Sequence, residues 1–194
     1  MERVKAPEIV DDLQARGRLP PVAAVYVSCL DMAARHVDFT CNETYSAFVA
    51  TDLCRWIERT VGSYERLYPC GLSLSGLSAA FTVLRYPSVF AGALCQSPSA
   101  WWNDDWLAES LTGSGAHAGR FWISVGNEER QEGVSHPPSG LFQKTSQLDS
   151  VRGLAQKLSS QWKQVRYNEF SGGHDPACWA DELPEALAWL MQSA

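Results

Sequence analysis

Ser73 lies in the run Cys70-Gly71-Leu72-Ser73-Leu74-Ser75-Gly76-Leu77, which follows a short apolar segment and leads into Leu77, Ala80, Phe81 and Leu84 at helical spacing. A serine at a strand-to-helix turn is the setting of a nucleophile elbow. The tight turn exposes Oγ, and small residues two places before and after it keep side chains apart. Gly71 meets that demand; Ser75 stands where the pattern Gly-x-Ser-x-Gly has its second glycine, with Gly76 directly after it. The match is partial. The competing reading is a Gly/Ser-rich helix start in which Ser73 or Ser75 only caps the helix, and on this motif alone neither reading prevails.

A second fragment favours chemistry. Phe170-Ser171-Gly172-Gly173-His174-Asp175 follows a strand-like run, Val165 to Phe170. A histidine on a glycine-rich loop after the last strand and before a final helix holds the place of the general base in the chain order Ser, acid, His. The acid belongs after the buried strand predicted at Phe121 to Val125, where Gly126-Asn127-Glu128-Glu129 offers two carboxylates. Glu128 or Glu129 could hold the imidazole in one tautomer and stabilise its cation; either could equally belong to an exposed acidic turn. A serine, a carboxylate and a histidine in this order are the parts of nucleophilic catalysis.

Composition removes other classes. The chain has 194 residues, 45% hydrophobic and 20% charged, as expected of one globular domain spanning 1–194 with a sizeable core. Its net charge of −6 and lack of a basic run argue against nucleic acid and anionic membrane surfaces. No apolar stretch approaches the roughly 18 to 20 residues that span a bilayer, and Met1 to Lys5 lacks the apolar core of a signal peptide. The six cysteines stand singly without CxxC pairs, as reduced core thiols of a cytoplasmic protein would. The four histidines have no metal-binding spacing, so no metal and no cofactor is expected.

The elements that must position these residues follow. Glu8 to Arg16 reads as a helix ended by Gly17, and Val22 to Val27 as a parallel strand buried on both faces. A polar loop with Arg35, His36 and Asp38 comes next, then a long amphipathic helix capped by Asn42. Leu67 to Gly71 is the strand into the elbow, although Pro69 sits oddly in a central strand. Ala91 to Cys95 is another strand, ending in Gln96-Ser97-Pro98-Ser99-Ala100-Trp101-Trp102, where the two tryptophans either stack an aromatic substrate or seal a core. Thr112 to Gly119 is a glycine-rich connection, Gln131 to Ser139 a mobile rim loop, Leu141 to Trp162 a long helix, and Asp181 to Gln192 a final one. The fold class is α/β, three layers around a mostly parallel sheet of about five strands.

With these residues laid out, the chain resembles the esterase branch of the α/β-hydrolases, and within it the catalytic domain of the enterochelin (enterobactin) esterases. The resemblance rests on Gly17-Arg18-Leu19-Pro20-Pro21, Leu30-Asp31 with Arg35 and Cys41-Asn42, the elbow, the Gln96 to Trp102 loop, and Gly172-Gly173-His174-Asp175 with Cys178-Trp179. It implies Ser73 as nucleophile, His174 as base and Glu129 as acid, with the Leu74 N–H as an oxyanion donor and Arg35, Trp101 and Trp102 near the substrate. The implied substrate is a small-molecule ester, the trilactone of a ferric catecholate siderophore, opened to release iron in the cytoplasm. The resemblance also implies that the first strands and a Leu-Leu-Asp-Gly-like oxyanion loop precede the region present here. Their absence would open the middle of the sheet and weaken catalysis, leaving a remnant binding domain, or a generic carboxylesterase or thioesterase, as alternatives. If Val22 to Val27 pairs directly with Leu67 to Gly71, an exposed edge remains, which predicts a homodimer with exchanged N-terminal segments.

Overall fold

The computed structural model describes residues 4–112 and 117–192. Four strands form a wholly parallel sheet in the order β1 (Cys70–Leu72), β2 (Gly92–Gln96), β3 (His117–Gly126) and β6 (Trp162–Phe170). A two-stranded antiparallel hairpin, β4 (Val134–His136) and β5 (Leu141–Gln143), stands apart from it. Residues 113–116 of the predicted Thr112 to Gly119 connection lie outside the described residues, and His117 to Gly119 already belong to β3.

Strands β2 and β3 alternate between two cores, as the two-residue period of a pleated strand requires. Ala93, Cys95, Phe121, Ile123 and Val125 face α5 (Leu74–Arg85) and α7 (Gln147–Gln161), where Leu77, Phe81, Val151 and Leu154 meet them. Leu94 and Trp122 point the other way, against α1 (Ala6–Ala15) and α8 (Pro176–Leu190), with Leu13, Leu183, Leu187 and Leu190. The result is three layers, helices on both faces of a parallel sheet.

Five sequence readings are corrected. Val22 to Val27 forms no strand among the described residues, and Tyr26 and Val27 are exposed. A strand exists only through its ladder partners, and among the described residues β1 pairs with β2 alone, so the sheet there has four strands. Arg35, His36 and Asp38 lie not in a loop but on α2 (Met32–Asp38), whose cap is Asp31 Oδ1 accepting the Ala34 N–H at 2.7 Å. The predicted rim loop and long helix between Gln131 and Trp162 resolve into the β4–β5 hairpin followed by α7, which starts where Ser146 accepts the Asp149 N–H. Asn42 does cap its helix, accepting from the Tyr45 N–H at 2.9 Å, but α3 (Glu43–Phe48) passes through a π-helical turn, Val49–Leu53, before α4 (Cys54–Thr60). The predicted strand into the elbow shortens to β1; Pro69 lies outside it and uses only its carbonyl, which accepts the Leu94 N–H at 3.1 Å.

No helix among the described residues is long and apolar enough to cross a membrane.

Candidate active site

Ser73 joins β1 to α5 with φ 55° and ψ −129°, a backbone geometry costly for any residue with a Cβ. The surroundings enforce it. Gly71 has no room for a side chain, since a Cβ there would meet the Ser75 carbonyl oxygen at 2.2 Å. Ser75 ties the turn from within: its hydroxyl donates to the Leu72 carbonyl at 2.7 Å and accepts the Leu72 N–H at 3.0 Å. The departure from Gly-x-Ser-x-Gly is therefore a brace for the elbow. Leu74, the first residue of α5, has an N–H without an intrahelical acceptor, as every helix start does.

His174 and Glu129 meet across 45 positions of sequence, with Nδ1 and Oε2 2.6 Å apart. The Glu129 side chain is 3% exposed and that of His174 43%. Oε1 of Glu129 also accepts the Gly126 N–H at 2.8 Å and the Ser97 hydroxyl at 2.6 Å. Because a carboxylate only accepts, Nδ1 carries the shared proton and Nε2 of the neutral ring is free to take one. Trp179 meets the imidazole edge to face, centroids 4.7 Å apart at 88°. Gly126 lets the His174 loop and Glu129 come close to the end of β3; a Cβ there would lie 2.4 Å from the Gly172 carbonyl oxygen and 3.0 Å from Glu129 Oε1. Glu128, by contrast, is exposed.

A cavity of about 450 Å³ brings Ser73, Leu74, Glu128, Glu129 and His174 to one surface, with Arg35 and Trp101 also on its wall. The Ser73 hydroxyl lies 3.5 Å from that of Ser99 and, among the described residues, makes no hydrogen bond to His174. Arg35 is half buried 5.8 Å over the Phe39 ring, and burial lowers its guanidinium below the ordinary value. Trp101 stacks on His136 at 4.8 Å and gives its indole N–H to Gln147.

Trp102 departs from expectation: it is not among the residues lining this cavity, and its ring packs edge-on against Trp106, 6.0 Å away, and against the core. Three consecutive left-handed residues, Asn103, Asp104 and Asp105 (φ 51°, 56° and 60°), follow it within α6 (Trp102–Ser110). Sequence reasoning missed His136 and Gln143 of the hairpin, and Gln147 of α7, all on the cavity wall. Gln147 donates to the Ser97 and Pro98 carbonyls, the latter at 2.8 Å, pinning the loop after β2. A glutamine at the buried start of a helix was its one local signal.

No group of three or more metal-ligating side chains gathers among the described residues.

A family model described as "Putative esterase" matches residues 2–190. The chain is 27% identical over 193 residues to the iron(III) enterobactin esterase of Escherichia coli (strain K12), covering 95% of this chain and 45% of that protein. It is 25% identical over 186 residues to the iron(III) enterobactin esterase of Dickeya dadantii (strain 3937), covering 91% and 42%. The chain thus spans less than half the length of these relatives. Among solved structures, the enterobactin esterase of Shigella flexneri superposes with a TM-score of 0.78 at 24% identity, over 93% of this chain and 47% of that one. The BES protein of Bacillus cereus superposes with 0.68 at 17%, over 99% and 77%. At these identities the superpositions establish the fold.

Proposed function

The chain belongs to this esterase family, and from that premise we propose that it is a serine esterase with Ser73 as nucleophile, His174 as general base and Glu129 as the orienting acid. The observation that carries the reading is the 2.6 Å contact between Glu129 and His174 on the wall of a cavity that also holds a strained, partly exposed Ser73. His174 Nε2 takes the Ser73 proton as Oγ attacks the ester carbonyl. The Leu74 N–H, at the positive end of α5, stabilises the oxyanion. The alcohol leaves with the proton held by His174, and water activated by the same nitrogen releases the acid.

We propose as substrate a catecholate siderophore lactone, the class that the names of the relatives from E. coli and D. dadantii indicate for those proteins. The half-buried Arg35 suits an anionic catecholate, and the Trp101–His136 stack offers an aromatic wall. The six unpaired cysteines suit a reducing compartment, which supports the cytoplasm as the place of action. We also propose a homodimer through the outer edge of β1, which has no strand partner among the described residues; light scattering showing only a 21.4 kDa species would reject it.

The central test is fluorophosphonate labelling together with turnover of aryl esters and catechol lactones. Wild type should label and turn over, with Ser73→Ala abolishing both. Turnover that survives Ser73→Ala, or a wild type that neither labels nor hydrolyses, would reject the esterase reading in favour of a binding domain.

A further inference from the structure

Ser97 has no part in the reaction as written, yet it is fully buried beside the acid and sits at φ 40°. A serine keeps such a backbone only where its surroundings over-determine it. Its N–H donates to the Ser124 carbonyl at 2.7 Å, and its carbonyl receives Gln147. Its hydroxyl lies 3.0 Å from the Trp179 indole nitrogen and 2.6 Å from Glu129 Oε1. The indole can only donate and a carboxylate can only accept, so the direction is set: the Ser97 oxygen accepts from Trp179, and its single proton goes to Glu129.

We propose that Ser97 is a positioning residue for His174, acting through Glu129 and itself oriented by Trp179. Two donors, Ser97 and Gly126, occupy Oε1 and hold the carboxylate rotation that turns Oε2 to the imidazole. Trp179 acts at both ends, its N–H on Ser97 and its ring against His174. Without the Ser97 hydroxyl, only the Gly126 N–H holds Oε1. The kinetic consequence rests on the esterase reading; the geometric one does not.

Ser97→Gly is the informative variant, because glycine suits φ 40° and the change takes away the hydroxyl together with a single carbon. Trp179→Phe removes the N–H and keeps a ring. In Ser97→Gly, kcat on a p-nitrophenyl ester should fall roughly tenfold, the loss of one hydrogen bond to a charged group. KM should stay at the wild-type value and the thermal transition should stay cooperative, its midpoint lowered by no more than the loss of two side-chain hydrogen bonds. The double variant should fall no further than Ser97→Gly, since the indole N–H works through that hydroxyl. The far-downfield proton resonance of the His174 Nδ1–H, expected in wild type from the 2.6 Å contact with Glu129, should be lost or exchange-broadened in Ser97→Gly. Wild-type kcat or an unaltered resonance in Ser97→Gly overturns the proposal, and a double-variant loss equal to the product of the single losses overturns the part given to Trp179. If turnover survives Ser73→Ala, the esterase reading fails while the resonance still judges Ser97.

Discussion

The Ser75 hydroxyl engages both backbone groups of Leu72, closing the four-residue turn Leu72 to Ser75 around Ser73 with bonds of 2.7 and 3.0 Å. Removing it in Ser75→Ala costs two hydrogen bonds, or about 1 to 3 kcal/mol in all. Urea unfolding should report that loss, and fluorophosphonate labelling of Ser73 should slow as the turn loosens. A variant with the wild-type midpoint and labelling rate would mean that packing alone holds the elbow.

Gly71→Ala should be far more damaging. The added methyl would sit 2.2 Å from a backbone oxygen in the next turn of chain, and backbone cannot rotate away as a side-chain tip can. We expect a loss of about 3 kcal/mol or more, read as loss of the cooperative thermal transition or of the soluble folded protein. A folded, active Gly71→Ala would show that β1 and α5 can separate at little cost.

Glu128 and Glu129 are adjacent in sequence and differ in burial, which separates their roles. Glu129→Gln should lower kcat on a small ester by about 10⁴-fold, the scale reached when the acid of a triad can no longer fix the imidazole tautomer. Glu128→Gln should leave kcat unaltered. Equal losses in the two variants would contradict the assignment.

His136 and Trp101, stacked 4.8 Å apart on the cavity wall, should matter in proportion to the substrate's aromatic surface. His136→Ala is expected to raise KM for aryl-acyl esters by roughly 2- to 10-fold while leaving acetate esters unaffected. Equal effects on the two substrate types would remove the hairpin from substrate selection.

Away from the cavity, Arg152 grips both oxygens of Glu169, at 2.7 and 2.9 Å, joining α7 to β6. Arg152 first and the Tyr167 hydroxyl second hold the Glu169 carboxyl below its ordinary value. A depressed carboxyl stabilises the fold above its unfolded value of about 4.3, and that contribution disappears as pH falls through the folded value. Arg152→Met should therefore be less stable than wild type at neutral pH, and the difference should close on acidification and shrink in high salt. Thermal melts at several pH values check this, and a gap that is constant with pH would assign the effect to packing.

Local chemistry is what the amino-acid order determined by itself. The elbow lies within eight contiguous residues, Cys70 to Leu77, and the His174 loop within six; their turn residues and flanking apolar runs carry the meaning wherever they occur. Buried strands β2 and β3 were legible for the same reason, since continuous apolar runs have few other uses in a parallel sheet. The tertiary structure decided whatever depends on a partner distant in the chain. It turned Glu129 inward, where Ser97 and Gly126 satisfy its carboxylate, and left Glu128 outside. Folding also brought His136 and Gln147 to the cavity wall and set Trp102 against Trp106 instead. Val22 to Val27 is the plainest case: its β-branched composition suits a strand, but hydrogen bonds to a neighbouring strand make one, and among the described residues no strand beside it supplies them.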